Sequence, residues 1–492
     1  MATDVPSLRI ALPKGRFQEA AARLLAPLDL GYLSEDTRNY RFASTKLPGL
    51  SAKLVHEKDI PVQVALGHYS LGICGREWVE ELRSKYASPD LVLLQELPLG
   101  QSMVYVAYSR FGDPSWEALR ARREGDGIRI AGEFPNLAEA FALRERLRRF
   151  RIFPLWGAAE AYPPEGADLV LVAVKDEDAL APAGLAPLAP LLEASACIIA
   201  HSPSLSRRNL VPVLAPLLAD LALRQPEEDS LLSFSPNGEL SMVFPDPDQG
   251  PSDLRLALPD GSLLGVVSAI LDRAGLLPSG YASPLGTRRP LSPEPGLHIK
   301  VIRPHDMPLQ VANGHFDLAI TGMDRLEEHR ARFPYSPVAT LADLGDSGRS
   351  LQGQPARIVA VVHGDLPVTS VEELRQVVST WRRPLRIASE YIQLADRYAR
   401  QHHLAPYRVI PTWGATEGFL PDDADLLIEI TETGSTIARL GLRIIDELFH
   451  SPGRLIAYQP SLDDPQKGDR MRDLAQRLVT AREAMPGGRQ VL

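Results

Sequence analysis

Asp59-Ile60-Pro61-Val62-Gln63-Val64-Ala65, with Gly67-His68 behind it, is answered further along the chain by Asp306-Met307-Pro308-Leu309-Gln310-Val311-Ala312 with Gly314-His315, a separation of 306 − 59 = 247 residues. Two more matches flank it in the same order. Leu8-Arg9-Ile10-Ala11-Leu12-Pro13 returns as Leu254-Arg255-Leu256-Ala257-Leu258-Pro259 (254 − 8 = 246), and Trp156-Gly157-Ala158 with Ala167-Asp168-Leu169 returns as Trp413-Gly414-Ala415 with Ala424-Asp425-Leu426 (413 − 156 = 257). Collinear matches at nearly constant spacing mark a tandem duplication. The step in spacing (257 − 247 = 10) places an insertion near Gly345 to Pro355, a stretch rich in Gly, Ser and Gln. Residues 225–253, with five prolines and several acids, read as a linker. The expected division is a first copy over 1–224, the linker over 225–253 and a second copy over 254–492.

Inside each copy short apolar runs alternate with segments of helical spacing. LRIALP, DLVLL, SMVYVAY, IRIAGE, DLVLVAV and ACIIAH, with RIVAVVH, LRIASE, DLLIEIT and RLIAYQ in the second copy, are β-rich and bounded by turn residues. Strands alternating with helices point to parallel or mixed sheets covered by helices, an α/β architecture. Each copy has room for two lobes, and a ligand is expected in the cleft between them.

The formal net charge of −9 supplies no basic footprint for nucleic acid, so no nucleic-acid partner is expected. Two cysteines, Cys74 and Cys197, lack metal-type spacing. No run approaches 18 apolar residues, and charges interrupt the start of the chain where a signal peptide needs an apolar core, so a cytoplasmic enzyme without membrane contact is expected.

Asp425-Leu426-Leu427-Ile428-Glu429-Ile430-Thr431 is an apolar strand that runs into Glu432-Thr433-Gly434-Ser435-Thr436 and then a helical segment, IARLGL. Glycine allows close backbone approach, three hydroxyls donate hydrogen bonds and a helix N-terminus follows, which together make a phosphate cradle. The same residues also make an ordinary N-cap and its turn.

The strand, loop and helix resemble the 5-phosphate loop of phosphoribosyltransferases, and DLLIEITETGSTIARLGL in particular resembles the signature of the ATP phosphoribosyltransferases of histidine biosynthesis. LRIALPKGR resembles that family's opening, and VIRPHDMPLQVANGHFDLAITGMD and LVHEKDIPVQVALGHYSLGICGRE its middle motif. The resemblance runs through both copies, from about Leu8 to Pro203 and from Leu254 to Pro460. It implies two tandem copies of a two-lobed, periplasmic-binding-protein-like (type II) fold with mixed sheets. It also implies a magnesium-dependent enzyme that joins ATP and phosphoribosyl pyrophosphate into phosphoribosyl-ATP and pyrophosphate. On this footing Glu432, Thr433, Gly434, Ser435 and Thr436 bind phosphoribosyl pyrophosphate and Glu429, where the family more often has Asp, is a catalytic acid near the ribose. Arg303, Asp317, Thr321 and Gly322 shape the nucleotide pocket. The ligands of Mg2+ are not identified by the resemblance.

The two copies have diverged at these positions. Opposite the cradle the first copy reads Lys175-Asp176-Glu177-Asp178-Ala179, so carboxylates replace the hydroxyls and Glu177 replaces the glycine, which is hostile to a phosphate. His56 stands opposite Arg303 and Ser70 opposite Asp317. Conversely, Pro13-Lys14-Gly15-Arg16 offers two cations where Pro259-Asp260-Gly261-Ser262 offers none. Because the family's short enzymes are dimers with sites near the subunit interface, the fusion is expected to be a covalent pseudo-dimer with one working site, to which Lys14, Arg16 or Arg38 contributes from the first copy as a catalytic cation. The competing reading is a catalytically silent ligand-binding or regulatory homologue, and a third is a related transferase with another nucleophile. The Trp156 and Trp413 motifs read as core packing, and Arg144–Arg149 as a solvated basic helix. The residues beyond Pro460 look too short for the family's regulatory domain. A homodimer of fused units and a separate regulatory subunit are both left open.

Overall fold

The computed structural model describes residues 8–30, 40–110, 127–207, 209–215, 217, 250, 252–282, 286–346 and 355–485. Most of the expected linker, Arg38 and most of the expected insertion lie outside these residues. Four mixed sheets carry the fold, two per copy. In the second copy, lobe I orders its strands as Leu297–Ile302, Leu254–Pro259, Leu318–Gly322, Pro452–Tyr458 and Val338–Asp346. Lobe II orders Tyr407–Pro411, Leu385–Ser389, Leu426–Thr431, Arg357–His363 and Leu442–His450. The first three strands of each sheet run parallel and the last two antiparallel to their neighbours. The chain crosses from lobe I to lobe II after Val338–Asp346 and returns to lobe I with Pro452–Tyr458, so two strands bridge the lobes. The first copy repeats this with Ala196–His201 as the returning strand, and adds the edge strand Arg41–Ala43 to lobe I.

Nearly every apolar run read from the sequence is one of these strands. Two elements differ. The segment after the cradle is a single helical turn, Ser435–Arg439, which Gly441 ends at φ +69° before the strand Leu442–His450 begins. The basic stretch Arg144–Arg149 is the end of helix Pro135–Arg144 and the turn after it, with Arg146 at positive φ, rather than a helix of its own.

The strands are buried on both faces because each sheet has two neighbours, its own helices and the opposite copy. Lobe I of the first copy packs on lobe II of the second through Val55, Ile60, Val64 and Ile199 against Phe419, Leu420, Leu427 and Val361, all at most 2% exposed. Lobe II of the first packs on lobe I of the second through Val170, Tyr162 and Leu180 against Ile302, Met307, Val311 and Ile456. Each such buried side chain is worth about 1.5–3 kcal/mol. The copies therefore form one folded body.

Ion pairs repeat the exchange. Lys53 and Arg9 of the first copy reach Asp423 of the second at 2.6 and 2.8 Å, and Tyr69 donates to the same carboxylate at 2.7 Å. In the mirror position Lys300 and Arg289 hold Glu165. Arg289 also donates to the Pro163 carbonyl as Arg41 does to that of Leu420. Arg41 is thus its counterpart. The divergence of Ser70 from Asp317 explains Arg9: Asp317 keeps Arg255 within its own lobe, whereas Ser70 offers no carboxylate and Arg9 turns to the other copy.

The amide of each Trp-Gly turn is capped by an aspartate of the opposite copy. Trp156 N–H donates to Asp306, whose second partner is the Tyr162 hydroxyl, and Trp413 N–H donates to Asp59. Phe419 occupies the place of Tyr162 in the second copy, and Asp59 Oδ2 is buried without a hydrogen-bond partner among the described residues. Burial first, and then the Glu390 charge, push the Asp59 carboxyl well above its ordinary range. Leaving such an oxygen unpaired costs about 1–3 kcal/mol. Phe419→Tyr is therefore expected to raise the urea midpoint by the equivalent of about 1 kcal/mol, and an unchanged or lower midpoint refutes this account of Asp59.

Candidate functional site: two clefts of opposite chemistry

Between the lobes of the second copy lies a cleft of about 500 Å³. One wall is the end of strand Leu426–Thr431 and the loop after it, Glu429 to Ile437. The other wall carries His305, Gly322, Asp324 and Arg325, and Glu390, Tyr391 and Glu417 close the floor. Gly434 sits at φ +70°, a left-handed conformation in which an L side chain costs about 1–2 kcal/mol. The loop is held by its own hydroxyls: Gly434 N–H donates to Thr431 Oγ1 at 3.1 Å, Ser435 N–H to Thr433 Oγ1 at 3.2 Å, and Thr433 Oγ1 to Ser435 Oγ at 2.9 Å. With only one helical turn behind the loop, hydroxyls and amides rather than a helix dipole must hold an anion here.

Beyond the loop the cleft is acidic. Burial first, then the charges of Glu390 and Glu417, hold the Glu429 carboxyl well above the usual carboxylate range, outweighing the Ile430 amide and the Thr416 hydroxyl. Burial also pushes Glu390 upward, but a hydrogen bond from His305 and the Arg325 guanidinium at 2.9 Å override it and bring Glu390 down to about 2. Burial, then Arg325, lower His305 to about 4, so its imidazole is neutral at pH 7. Arg325 is the one permanent cation among the described residues lining the cleft.

The first copy's cleft, about 330 Å³, has lost this chemistry. Asp176 accepts from the Ala179 amide at 3.2 Å, so a carboxylate of the chain itself caps the turn that follows. Val172 stands where the second copy has Glu429, while Glu133 and Glu160 keep the places of Glu390 and Glu417 and face Arg16, Lys58, Arg288 and Arg303 in the same lining.

The expected site residues divide between these places. Glu429, Glu432, Thr433, Ser435, Thr436 and Gly322 line the second cleft, with Gly434 in the cradle loop itself. Arg303 lines the first cleft instead, paired with Asp260 and lying so near Gly157 that a Cβ there would meet its Nε at 3.0 Å. Asp317 is fully buried among Arg255, Ser461 and Lys467, where it ties lobe I together and lines neither cleft. Thr321 is buried as well, its hydroxyl on the Pro304 carbonyl. Arg16 is drawn into the first cleft by Glu57 and Glu77, and Lys14 lies against the Tyr40 ring. Neither cation lines the second cleft, which corrects the expectation that they reach across to it. The sequence reading passed over His305, Arg325, Glu390 and Glu417. The last two carried a signal, since both acids recur in the first copy as Glu133 and Glu160 (390 − 133 = 257 and 417 − 160 = 257).

The fold and these clefts define a two-lobed α/β unit present twice, with a loop of glycine and hydroxyls in the second copy only. The family model for ATP phosphoribosyltransferase (HisG) matches residues 56–221 and 303–480. The ATP phosphoribosyltransferase of Desulfatibacillum aliphaticivorans is 32% identical over 231 residues, 46% of this chain and 72% of the relative, and that of Chlorobium chlorochromatii is 32% identical over 228 residues, 46% and 71%. Among solved structures, the ATP phosphoribosyl transferase (HisG:HisZ) complex from Thermotoga maritima aligns with 23% identity and a TM-score of 0.36 over 44% of this chain and 98% of that one. The periplasmic aliphatic sulphonate binding protein SsuA from Escherichia coli aligns with 16% identity and a TM-score of 0.30 over 48% and 70%. The chain belongs to the ATP phosphoribosyltransferase family. No helix among the described residues is long and apolar enough to cross a membrane.

Proposed function

We propose that the second copy's cleft transfers the phosphoribosyl group of phosphoribosyl pyrophosphate to N1 of ATP, the first step of histidine biosynthesis, and that the first copy has no transfer site. The observation that carries this reading is the Thr431–Thr436 cradle opening onto a cleft whose floor is a cluster of carboxylates. The N1 lone pair forms the new bond to C1 as the bond from C1 to the pyrophosphate oxygen breaks, and the electron pair leaves with pyrophosphate. Little covalent work is asked of the protein beyond holding two anionic substrates in line. Thr433, Ser435 and Thr436 bind the 5-phosphate, and Glu429 faces the ribose, where its raised carboxyl ionises once a cation or the positive charge developing at C1 stands beside it.

The residues fit a divalent cation carried on the pyrophosphate. No group of three or more His, Cys, Asp or Glu among the described residues is placed to hold a metal by itself, so a magnesium ion would be held mainly by substrate oxygens. The raised Glu429 marks a place short of positive charge, and Glu429 with Glu417 would face the ion. Bound there, magnesium supplies charge neutralisation for the departing pyrophosphate. Arg325 is the protein's contribution to the same task.

Incubation with ATP, phosphoribosyl pyrophosphate and magnesium should yield phosphoribosyl-ATP by its absorbance. A protein that binds phosphoribosyl pyrophosphate in calorimetry yet makes no product would be a silent homologue instead.

A further inference from the structure

We propose that Trp156, a residue of the first copy, is a positioning residue for the second copy's cleft: its indole fixes the His305 ring, which in turn holds the Glu390 carboxylate in the cleft floor. The proposal rests on the reading of that cleft as the transfer site. It gives the first copy a task that needs no phosphate loop.

Three contacts carry it. The Trp156 indole stacks on the His305 imidazole with ring centroids 4.1 Å apart and planes at 19°. The backbone amide of Trp156 is tied to Asp306, the residue after His305, at 3.1 and 3.2 Å to its two oxygens. Ring and amide thus grip adjacent residues of the opposite copy. His305 has little else to orient it: its Nδ1 is buried without a hydrogen-bond partner among the described residues, and its Nε2 lies 3.4 Å from Glu390 Oε2. A ring with one long hydrogen bond takes its plane from the surface it lies on, and here that surface is the indole. Arg325 completes the assembly at 5.9 Å from the Trp156 ring and 4.2 Å from that of Tyr391, with its guanidinium on Glu390.

The device acts in one direction. The first copy's counterpart of His305 is Lys58 (305 − 58 = 247), which reaches Glu133 and lies over Trp78. Trp156 itself meets Trp413 at 6.3 Å, so the two related tryptophans touch at the junction of the copies, and among the described residues Trp156 is the one stacked on a histidine. Both tryptophans read from sequence as core packing, and both are only half-buried.

The groups facing His305 are Arg325 and Asp324 on helix Met323–Arg332, Glu390 after strand Leu385–Ser389, and Asp306 on its own segment. Loss of the indole admits water to this set without changing any of its charges. The test is NMR titration of the His305 imidazole alongside steady-state kinetics, in wild type, Trp156→Leu, which keeps apolar bulk without a flat ring, and Trp156→Phe, which keeps the ring. In Trp156→Leu, His305 should titrate well above its wild-type value of about 4, toward the free-imidazole value of about 6.5. Turnover should fall about tenfold or more, with the KM for phosphoribosyl pyrophosphate moving less than about threefold. Trp156→Phe should restore most of both. Wild-type titration and turnover in Trp156→Leu overturn the proposal, and so does a loss of turnover with the titration unmoved, which assigns Trp156 to packing alone. If the wild-type protein makes no phosphoribosyl-ATP, the reading of the cleft fails, and the His305 titration still decides whether the indole governs that ring.

Discussion

Giving the cradle the first copy's sequence, by Glu432→Lys, Thr433→Asp, Gly434→Glu, Ser435→Asp and Thr436→Ala together, should lower kcat/KM for phosphoribosyl pyrophosphate by about a thousandfold or more. A single like-charge pair about 4 Å apart costs about 4 kcal/mol at an effective dielectric constant of 20, which alone corresponds to about three powers of ten. The exchange sets three carboxylates around a dianionic phosphate and removes three hydroxyls, and even with lysine in place of Glu432 the loop's formal charge falls from −1 to −2. The fold should tolerate it. Thr433 and Ser435 are exposed, and a Cβ at Gly434 meets only Ile444 Cδ1, at 3.7 Å. The stability cost is then the left-handed backbone at Gly434, about 1–2 kcal/mol. Kinetics in parallel with thermal unfolding separate the two effects. A variant with wild-type affinity for phosphoribosyl pyrophosphate would place the 5-phosphate elsewhere.

The largest expected loss of stability lies at Asp423, the second copy's acceptor for Lys53, Arg9 and Tyr69. Asp423→Ala leaves a lysine that is 3% exposed without its counterion, and breaking a buried pair from one side costs about 3–5 kcal/mol. The effect should show as a marked fall in the urea midpoint at pH 7. Burial has already brought Lys53 down to about 8 despite Asp423, so in the variant it sheds its proton more readily, which limits the damage toward alkaline pH. Acid should act on the wild type in the same place. Burial pushes Asp423 upward, but Lys53 and Arg9 more than offset it and hold the carboxyl at about 2. A carboxylate depressed on folding stabilises above its unfolded value of about 3.9 and ceases to do so as pH falls toward about 2. The gap between wild type and Asp423→Ala should therefore narrow across that interval. A midpoint in Asp423→Ala equal to wild type would mean that this pair contributes nothing to the junction.

Much of this architecture was legible because a duplicated chain supplies its own comparison. The recurrence of Asp-x-Pro-x-Gln-Val-Ala set the copies in register, and strand-forming runs such as RIVAVVH and LRIASE, where the structure has Arg357–His363 and Leu385–Ser389, needed nothing beyond their own β-branched residues. The turn after strand Leu426–Thr431 was legible for the same local reason, a glycine and three hydroxyls within five residues. What stayed hidden depends on contacts distant in sequence. Arg303 looked like a nucleotide contact until the structure paired it with Asp260 beside Gly157, and Asp317 until it proved to be the buried partner of Arg255 and Lys467. Arg16 and Lys14 read as donated cations because spacing cannot show that Glu57, Glu77 and Tyr40 stand nearer to them than the other copy's cleft does. Periodicity likewise cannot tell that Trp156 covers a histidine 149 positions away (305 − 156 = 149).

The crossed packing of the copies constrains how the molecule can move. Lobe I of the first copy is welded to lobe II of the second by one apolar core, and the remaining two lobes are welded by another. Four lobes thus behave as two jaws, and each jaw supplies one side of both openings. Any hinge movement that narrows one opening therefore shifts a wall of the other as well.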